Sequence, residues 1–280
     1  MIYLSGSLLQ QPPSTISGET ETMIFQRLQN DNAAHSYQSL DELLFELQLR
    51  KNIINSSHAL HQSDAAFEIF AETRANPEYW NVTNAGGLRL RYGRQPAEAL
   101  SDIFRNSSAY GFECATAMII IFYHAALQVI GKTAFNNLFP NLYLYSWHID
   151  SDLGLESVQT PYFIPGDVVY FNNPDFNSQS PQWRGENAVV LNENSYFGHG
   201  IGITTEAEMI RILNDLRNPG SQQSAYLTNV VTRADSSRLY QQSRPFRNNS
   251  WIQKIPSVVI QHNENSISHE RYQQYLHDWK

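Results

Sequence analysis

The stretch from Tyr110 to Gly131, YGFECATAMIIIFYHAALQVIG, limits what this chain can fold into more than any other. It is apolar on every side from Ala115 onward and stops at a glycine, the residue type that commonly ends a helix. A helix that is hydrophobic all round is a buried one, so the chain is expected to build its core around this segment. Its first turn holds the only cysteine, Cys114. At a helix start, unpaired backbone N–H groups and the positive dipole end favour a thiolate or a developing oxyanion. That position suits a nucleophile, although a lone cysteine also serves as a small core hydrophobe.

With 280 residues the chain can bury a proper core without staples. One cysteine excludes an internal disulfide, so a reducing cytoplasm is the expected place of synthesis, and any special role of the thiol is chemical. A formal net charge of -8 argues against a nucleic-acid surface, which needs clustered Lys and Arg. The N-terminus MIYLSGSLLQQPP has no basic n-region, and the apolar run around Ala115 to Ile130 is short for a bilayer and broken by His124. The reading is a protein with neither signal peptide nor membrane span. The Asn-x-Ser/Thr triplets at Asn55, Asn81 and Asn106 then have no glycosylation to report.

Along the chain, a short helix is expected near Met23 to Leu28. Ser39 and Glu42 form a capping box ahead of Leu40, Leu43, Leu44, Leu47 and Ile54 at helical spacing, so a helix runs from Ser39 to Leu60. His58 and His61 lack partners at metal-ligand spacing and read as solvated residues. A second helix is expected from Asp64 to about Arg74, a hairpin from Tyr79 to Tyr92 with its turn at Asn84 to Gly87, and a helix from Pro96 to Phe104. Leu142 to Trp147 is strand-like. Asp150, Asp152 and Glu156 suggest a calcium loop, but Gly154 stands where a ligand is needed and no glutamate closes it, so no metal and no cofactor is assigned.

From Gly166 the pattern turns to β, with a strand from Asp167 to Phe171 and a hairpin from Glu186 to Ile203 turning within Asn192 to Ser195. If Leu191 pairs with Tyr196, Ala188 pairs with His199, and Glu186 and His199 become diagonal neighbours on one face. Two titratable groups there, flanked by Gly185, Gly198, Gly200 and Gly202, point to a site where substrate approaches closely. Thr205 and Glu208 cap a further helix to about Arg217, stopped by Pro219 and Gly220. Residues 241 to 280 are rich in Gln, Asn, Ser and Arg, with a strand-like piece at Val258 to Ile260 and a possible helix from His269 to Trp279. They read as an extension on a single domain of residues 1 to 240.

A thiol at a helix start followed by a hairpin bearing Glu and His is the papain-like order. The runs LLFELQLRKNI, FECATAMIIIFY, GDVVYFNNPDF, QWRGENAVVL, YFGHGIGI and QSAYL make the chain similar to the spore-coat transglutaminases of endospore-forming bacteria. The resemblance covers most of residues 1 to 240, and nothing carries over to the tail. It implies an α+β fold with a papain-like (NlpC-type) core and extra helices around it. It also implies glutamine acylation onto Cys114 with loss of ammonia, and transfer to a lysine amine as an ε-(γ-glutamyl)lysine cross-link. By the same resemblance Cys114 is the nucleophile, Glu186 the general base, His199 a further polar group and Glu113 a partial substitute for the base. The enzyme would be calcium-independent, its partners proteins with accessible Gln and Lys, its place the spore coat. Oligomeric state is open, with a monomer as the working reading.

Two negative charges cannot sit side by side cheaply, so a Cys and Glu pair keeps one proton, and burial raises the glutamate toward neutrality. The helix start is expected to hold the oxyanion. Water competes for the thioester, so narrow apolar walls are expected, with Phe67, Trp147, Tyr170 and Trp183 as candidates; the same aromatics would also serve as ordinary core. A papain-like peptidase or amidase using water as acceptor is the alternative, and a coat component with a retired site a third reading, against which the intact Glu113, Cys114, Glu186 and His199 set weighs.

Overall fold

The computed structural model describes residues 1 to 243. Six helices appear there: α1 Glu19–Asn30, α2 Leu40–His61, α3 Pro96–Arg105, α4 Cys114–Leu138, α5 Glu206–Asp215 and α6 Ser236–Ser243. Helix α2 starts as its capping box predicts, the Ser39 side chain accepting from the Glu42 N–H. Glu42 reaches one residue further back than the simple motif, accepting from the Gln38 N–H at 2.6 Å. Pro96 occupies the first turn of α3 and Thr205 caps α5.

Helix α4 is the core helix. Ile119, Ile120 and Ile121, on successive faces, are each 0% exposed, which at roughly 1.5–3 kcal/mol per buried side chain anchors every side of it. Among the described residues it alone is long and apolar enough to cross a membrane, and 72% of its apolar window is buried inside the protein. Gly131 does break it, with φ 78° and ψ 162°, but the chain resumes a helical course to Leu138. Left-handed φ is what a glycine tolerates at no steric cost.

The strands in chain order are β1 Ile2–Leu4, β2 Ser7–Leu8, β3 His35–Tyr37, β4 Ala66–Phe67, β5 Trp80–Val82, β6 Leu88–Leu90, β7 Gly111–Phe112, β8 Tyr143–Leu144, β9 Leu155–Gln159, β10 Val168–Asn172, β11 Gly185–Asn192, β12 Ser195–Gly198, β13 Gly202–Thr204 and β14 Tyr226–Ala234. The last six form one sheet in the order β13-β12-β11-β10-β14-β9, antiparallel throughout. Alternation along β10 and β11 gives each face its own core. Val168, Val189 and Leu191 join the main core with α4 and α2, whereas Val169, Phe171, Ala188 and Val190 pack with Met209 and Leu213 of α5. The fold is α+β, a cysteine-bearing buried helix laid on an antiparallel sheet.

Two expectations fail. The helix expected from Asp64 to Arg74 is instead β4 followed by a single 3-10 turn, Phe70–Glu72. Ala66 and Phe67 pair in parallel with Gly111 and Phe112, just ahead of the cysteine, and this long-range ladder outweighs a locally helical composition. The β11–β12 register is also shifted. Asn192 lies opposite Ser195, in the expected frame, but a bulge follows and Ala188 faces Gly198 rather than His199. The small sheet of β1, β2 and β3 was not legible in the sequence. The strand and helix expected at Val258 to Ile260 and His269 to Trp279 lie outside the described residues.

A buried polar network ties the layers together. Arg50 on α2 bonds Glu46 at 2.8 Å and Asp167 at 2.9 Å, while Arg233 on β14 bonds the other Asp167 oxygen at 2.6 Å. Tyr37 and Ser236 both donate to Glu46 Oε2, joining β3 and α6 to the same cluster. Removing one member leaves buried charge behind, so Arg50→Ala is expected to cost about 3–5 kcal/mol of stability, measured by denaturant or thermal unfolding.

Candidate active site

Cys114 is the first residue of α4, 8% exposed, and Glu113 is the helix N-cap. Glu113 Oε2 accepts from the Ala115 N–H at 2.8 Å, and Oε1 from the Thr116 N–H at 2.7 Å and the Thr116 hydroxyl at 2.9 Å. A side-chain carboxylate at this position satisfies orphan donors of the first turn. The N–H groups of Ala115 and Thr116 are therefore taken and not available to an oxyanion as the sequence suggested. The thiol itself lies against the cap, Sγ to Glu113 Oε2 at 3.6 Å. Thr116 Oγ1 also accepts from the Ser146 N–H at 2.9 Å, which fixes the segment containing Trp147 to the helix start.

Alternation along β11 decides what the sheet offers the sulfur. Glu186 and Asn187 are adjacent on β11 and alternate, so Asn187 shares the α4 side with Val189, and its Nδ2 lies 3.5 Å from Cys114 Sγ. The Asn187 backbone N–H also favours the thiolate. Glu186, fully buried, folds over Gly198 and Gly200 and accepts from the Gly200 N–H at 3.0 Å. A Cβ at Gly198 would stand 2.6 Å from Glu186 Oε1, so the glycine is what makes room for this carboxylate. Among the described residues, Glu186 Oε2 and Asn187 Oδ1 have no hydrogen-bond partner.

Burial dominates the electrostatics. It pushes the Glu186 carboxyl up to about 8, aided by the nearby Glu113 charge and opposed by the Gly200 N–H. Glu113 is raised by burial against the pull of its four hydrogen bonds. The Cys114 thiol is raised well above its usual value, first by burial and then by the charges of Glu186 and Glu113, with only Asn187 acting the other way. A neutral thiol beside a Glu186 carboxyl that is largely protonated at neutral pH is the resting state this implies.

His199 lies elsewhere in the cluster. Its Nε2 is 3.1 Å from the Ala66 carbonyl, its ring stacks on Phe112 at 4.9 Å, and burial lowers its pKa to about 4 while the Ala66 and Phe112 carbonyls resist. It pins the turn after β12 onto the β4–β7 ladder. Phe67 meets Trp183 at 5.2 Å and His199 at 6.0 Å, and Trp183 borders Gly200 beside Glu186. Both rings are half-buried and stand at the site. Tyr170 pairs with Asn187 in the ladder, and its hydroxyl donates to the Arg184 carbonyl at 3.2 Å. Trp147 is 0% exposed in the main core, one residue from the Ser146 link. Asn187 and Thr116 were not singled out from sequence; alternation with Val189 and Leu191 along β11 would have placed Asn187 on the face of the central helix. His58 and His61 are exposed, as expected of solvated residues.

A model of the protein-glutamine gamma-glutamyltransferase family matches residues 1–243. The chain belongs to that family. It is 44% identical over 276 residues to a protein-glutamine gamma-glutamyltransferase of Halalkalibacterium halodurans, covering 99% of this chain and 97% of the relative. To the enzyme of the same description from Bacillus pumilus it is 45% identical over 238 residues, 84% of this chain and 96% of that one. Among solved structures, the transglutaminase from Geobacillus stearothermophilus without its C-terminal extension superposes with a TM-score of 0.71 at 44% identity, covering 74% of this chain and 99% of that one. The alignment with the Halalkalibacterium halodurans relative runs past residue 243, into the residues to which the resemblance read from sequence did not extend. The substrates of a transglutaminase are proteins carrying accessible glutamine and lysine.

Proposed function

We propose that this transglutaminase links proteins through a thioester on Cys114, and that Glu186 is its general base. The observation that carries this reading is what acts on the sulfur: Glu113 and the Asn187 amide against it and the buried Glu186 charge near it, with the histidine bonded to backbone instead. As Sγ attacks the glutamine γ-carbonyl, Glu186 takes the thiol proton, which spares the dyad a second negative charge. Collapse of the tetrahedral intermediate returns that proton to the leaving nitrogen, and ammonia departs. A lysine amine then attacks the thioester, Glu186 removes a proton from it and gives it to the departing sulfur, and the isopeptide is released with the thiol restored. Asn187 Nδ2–H holds the oxyanion in both halves. Glu113 anchors the helix start and is the second carboxylate within reach of the thiol.

The burial of Cys114 and the Phe67 and Trp183 rings favour an amine that enters as a long apolar stem over bulk water as acceptor. Calcium independence belongs to the same proposal. Asp150 spends an oxygen on the Asp152 N–H at 3.0 Å, and Glu156 lies in β9, paired opposite Arg233. Assembly of the enzyme onto the spore coat, with coat proteins as substrates, is proposed from the resemblance alone. The test is incorporation of a labelled primary amine into a glutamine-bearing protein with calcium chelated. The wild-type chain is expected to label it and Cys114→Ala to give background only with an unchanged melting curve. Labelling by the alanine variant, or label-free deamidation by the wild type, would overturn the reading.

A further inference from the structure

Asn187 is fully buried, and its Oδ1 has no hydrogen-bond partner among the described residues. A buried acceptor left unpaired destabilises a fold, and native proteins hold few of them. The other half of the same amide shows where the side chain is turned, because Nδ2 lies 3.5 Å from Cys114 Sγ. An asparagine amide is one rigid plane with a donor and an acceptor side by side, so Oδ1 stands next to Nδ2 beside the sulfur. The residue itself sits on β11, inside the six-stranded sheet and opposite Tyr170 of β10, which fixes the amide on a rigid element.

A primary carboxamide complements that edge. Beside its carbonyl oxygen it carries an N–H on the same edge, so it can lie head to head with the Asn187 amide, the oxygen accepting from Nδ2–H and the N–H donating to Oδ1. An ester has no N–H to offer. A secondary amide in its favoured trans form turns its one N–H away from the carbonyl oxygen and places a carbon where the primary amide has hydrogen. The ε-(γ-glutamyl)lysine cross-link is a secondary amide of this kind.

We propose that Asn187 selects a primary carboxamide as acyl donor, Nδ2–H bonding its carbonyl oxygen and Oδ1 accepting from the N–H on the same edge. The inference rests on the transglutaminase reading of Cys114, and it gives the acceptor half of the amide a role beside the oxyanion contact of the donor half. As the sulfur adds to the carbonyl carbon, the π electron pair moves to the oxygen, which stays on Nδ2–H. The nitrogen then takes the proton held by Glu186, the C–N bond breaks, and ammonia leaves from an atom that still donates to Oδ1. That nitrogen is a stronger donor once protonated, so the Oδ1 bond tightens toward the transition state and raises kcat rather than binding alone. A finished cross-link leaves Oδ1 unpaired and crowded by carbon, which makes it a poor acyl donor to the enzyme that formed it.

The experiment gives the full chain a labelled amine and one peptide in three forms, with a glutamine γ-carboxamide, its N-methyl amide or the γ-methyl ester, and reads kcat/KM. The wild-type chain is expected to prefer the carboxamide to the N-methyl amide by at least about tenfold. Asn187→Ala removes both atoms: loss of Nδ2 falls on all three donors, loss of Oδ1 on the carboxamide alone. The carboxamide should therefore lose at least about tenfold more than either of the others. Each comparison is a ratio within one preparation, so partly misfolded protein cancels, and Asn187→Val, better suited to a strand, carries the same comparison if the alanine variant does not fold. A wild type indifferent to N-methylation, or a variant that loses all three donors by the same factor, would overturn the proposal. A wild-type chain that incorporates amine from none of the three would instead overturn the transglutaminase reading beneath it.

Discussion

Glu186→Gln is expected to lower amine incorporation by about 10²–10⁴-fold, the range over which a positioned base contributes. The carboxyl is buried and raised to about 8, so only its ionised fraction can accept the thiol proton. In the wild-type enzyme kcat/KM should therefore climb with pH through about 8, and the midpoint belongs to the coupled cluster rather than to one group. Glu113→Gln removes a charge that helps to raise Glu186, so the climb should move to lower pH, at the expense of a weaker helix cap. Glu113 already touches the thiol, and the double variant should lose more than the two single losses multiplied together. His199→Ala should fall less than Glu186→Gln, since its ring is committed to the Ala66 carbonyl and to Phe112. A His199→Ala variant as inactive as Cys114→Ala, beside a double glutamate variant that still turns over, would sink the carboxylate-base mechanism.

The same raised carboxyl has a consequence for stability, with a definite sign. A group whose pKa is higher in the folded state binds its proton more tightly there, so its contribution is full below the unfolded value of about 4.3 and is lost as pH rises through about 8. Glu186→Gln should thus melt higher than wild type at alkaline pH and close to it in acid. A site that gains stability when its base is neutralised is one held together for chemistry.

What was legible in the sequence was local or periodic. Ser39 with Glu42 and Thr205 announced two helix starts, Pro96 a third, and the unbroken apolar run after Cys114 the core helix. What escaped depended on residues far apart. The Asp64 to Arg74 segment is rich in helix formers, and only its pairing with Gly111 and Phe112 makes it a strand. The bulge near Leu191 leaves no mark in the alternation of Val189, Val190 and Leu191, yet it moves His199 out of register with Ala188. The cysteine, both glutamates and the two half-buried aromatics could be named from sequence; which of them touch could not, because a single inserted residue exchanges the faces of a strand.

Asn187→Ala is expected to reduce kcat by about 10²–10³-fold, the loss associated with removing one oxyanion donor. Its amide is fully buried, Nδ2 is 3.5 Å from Sγ, and the helix-start N–H groups of Ala115 and Thr116 are already taken by Glu113. The amide could instead act on the sulfur, because hydrogen bonds from Asn187 also favour the thiolate. Alkylation separates the two roles: iodoacetamide attacks the same sulfur but develops no carbonyl oxyanion. If Asn187 serves the oxyanion, Asn187→Ala should lose turnover while its alkylation rate changes by no more than a few-fold. Asn187→Asp keeps the shape and adds a third carboxylate beside a thiol already raised by two, so there both turnover and alkylation should fall. Parallel losses of turnover and alkylation in the alanine variant would assign Asn187 to the thiol and leave the oxyanion to another donor.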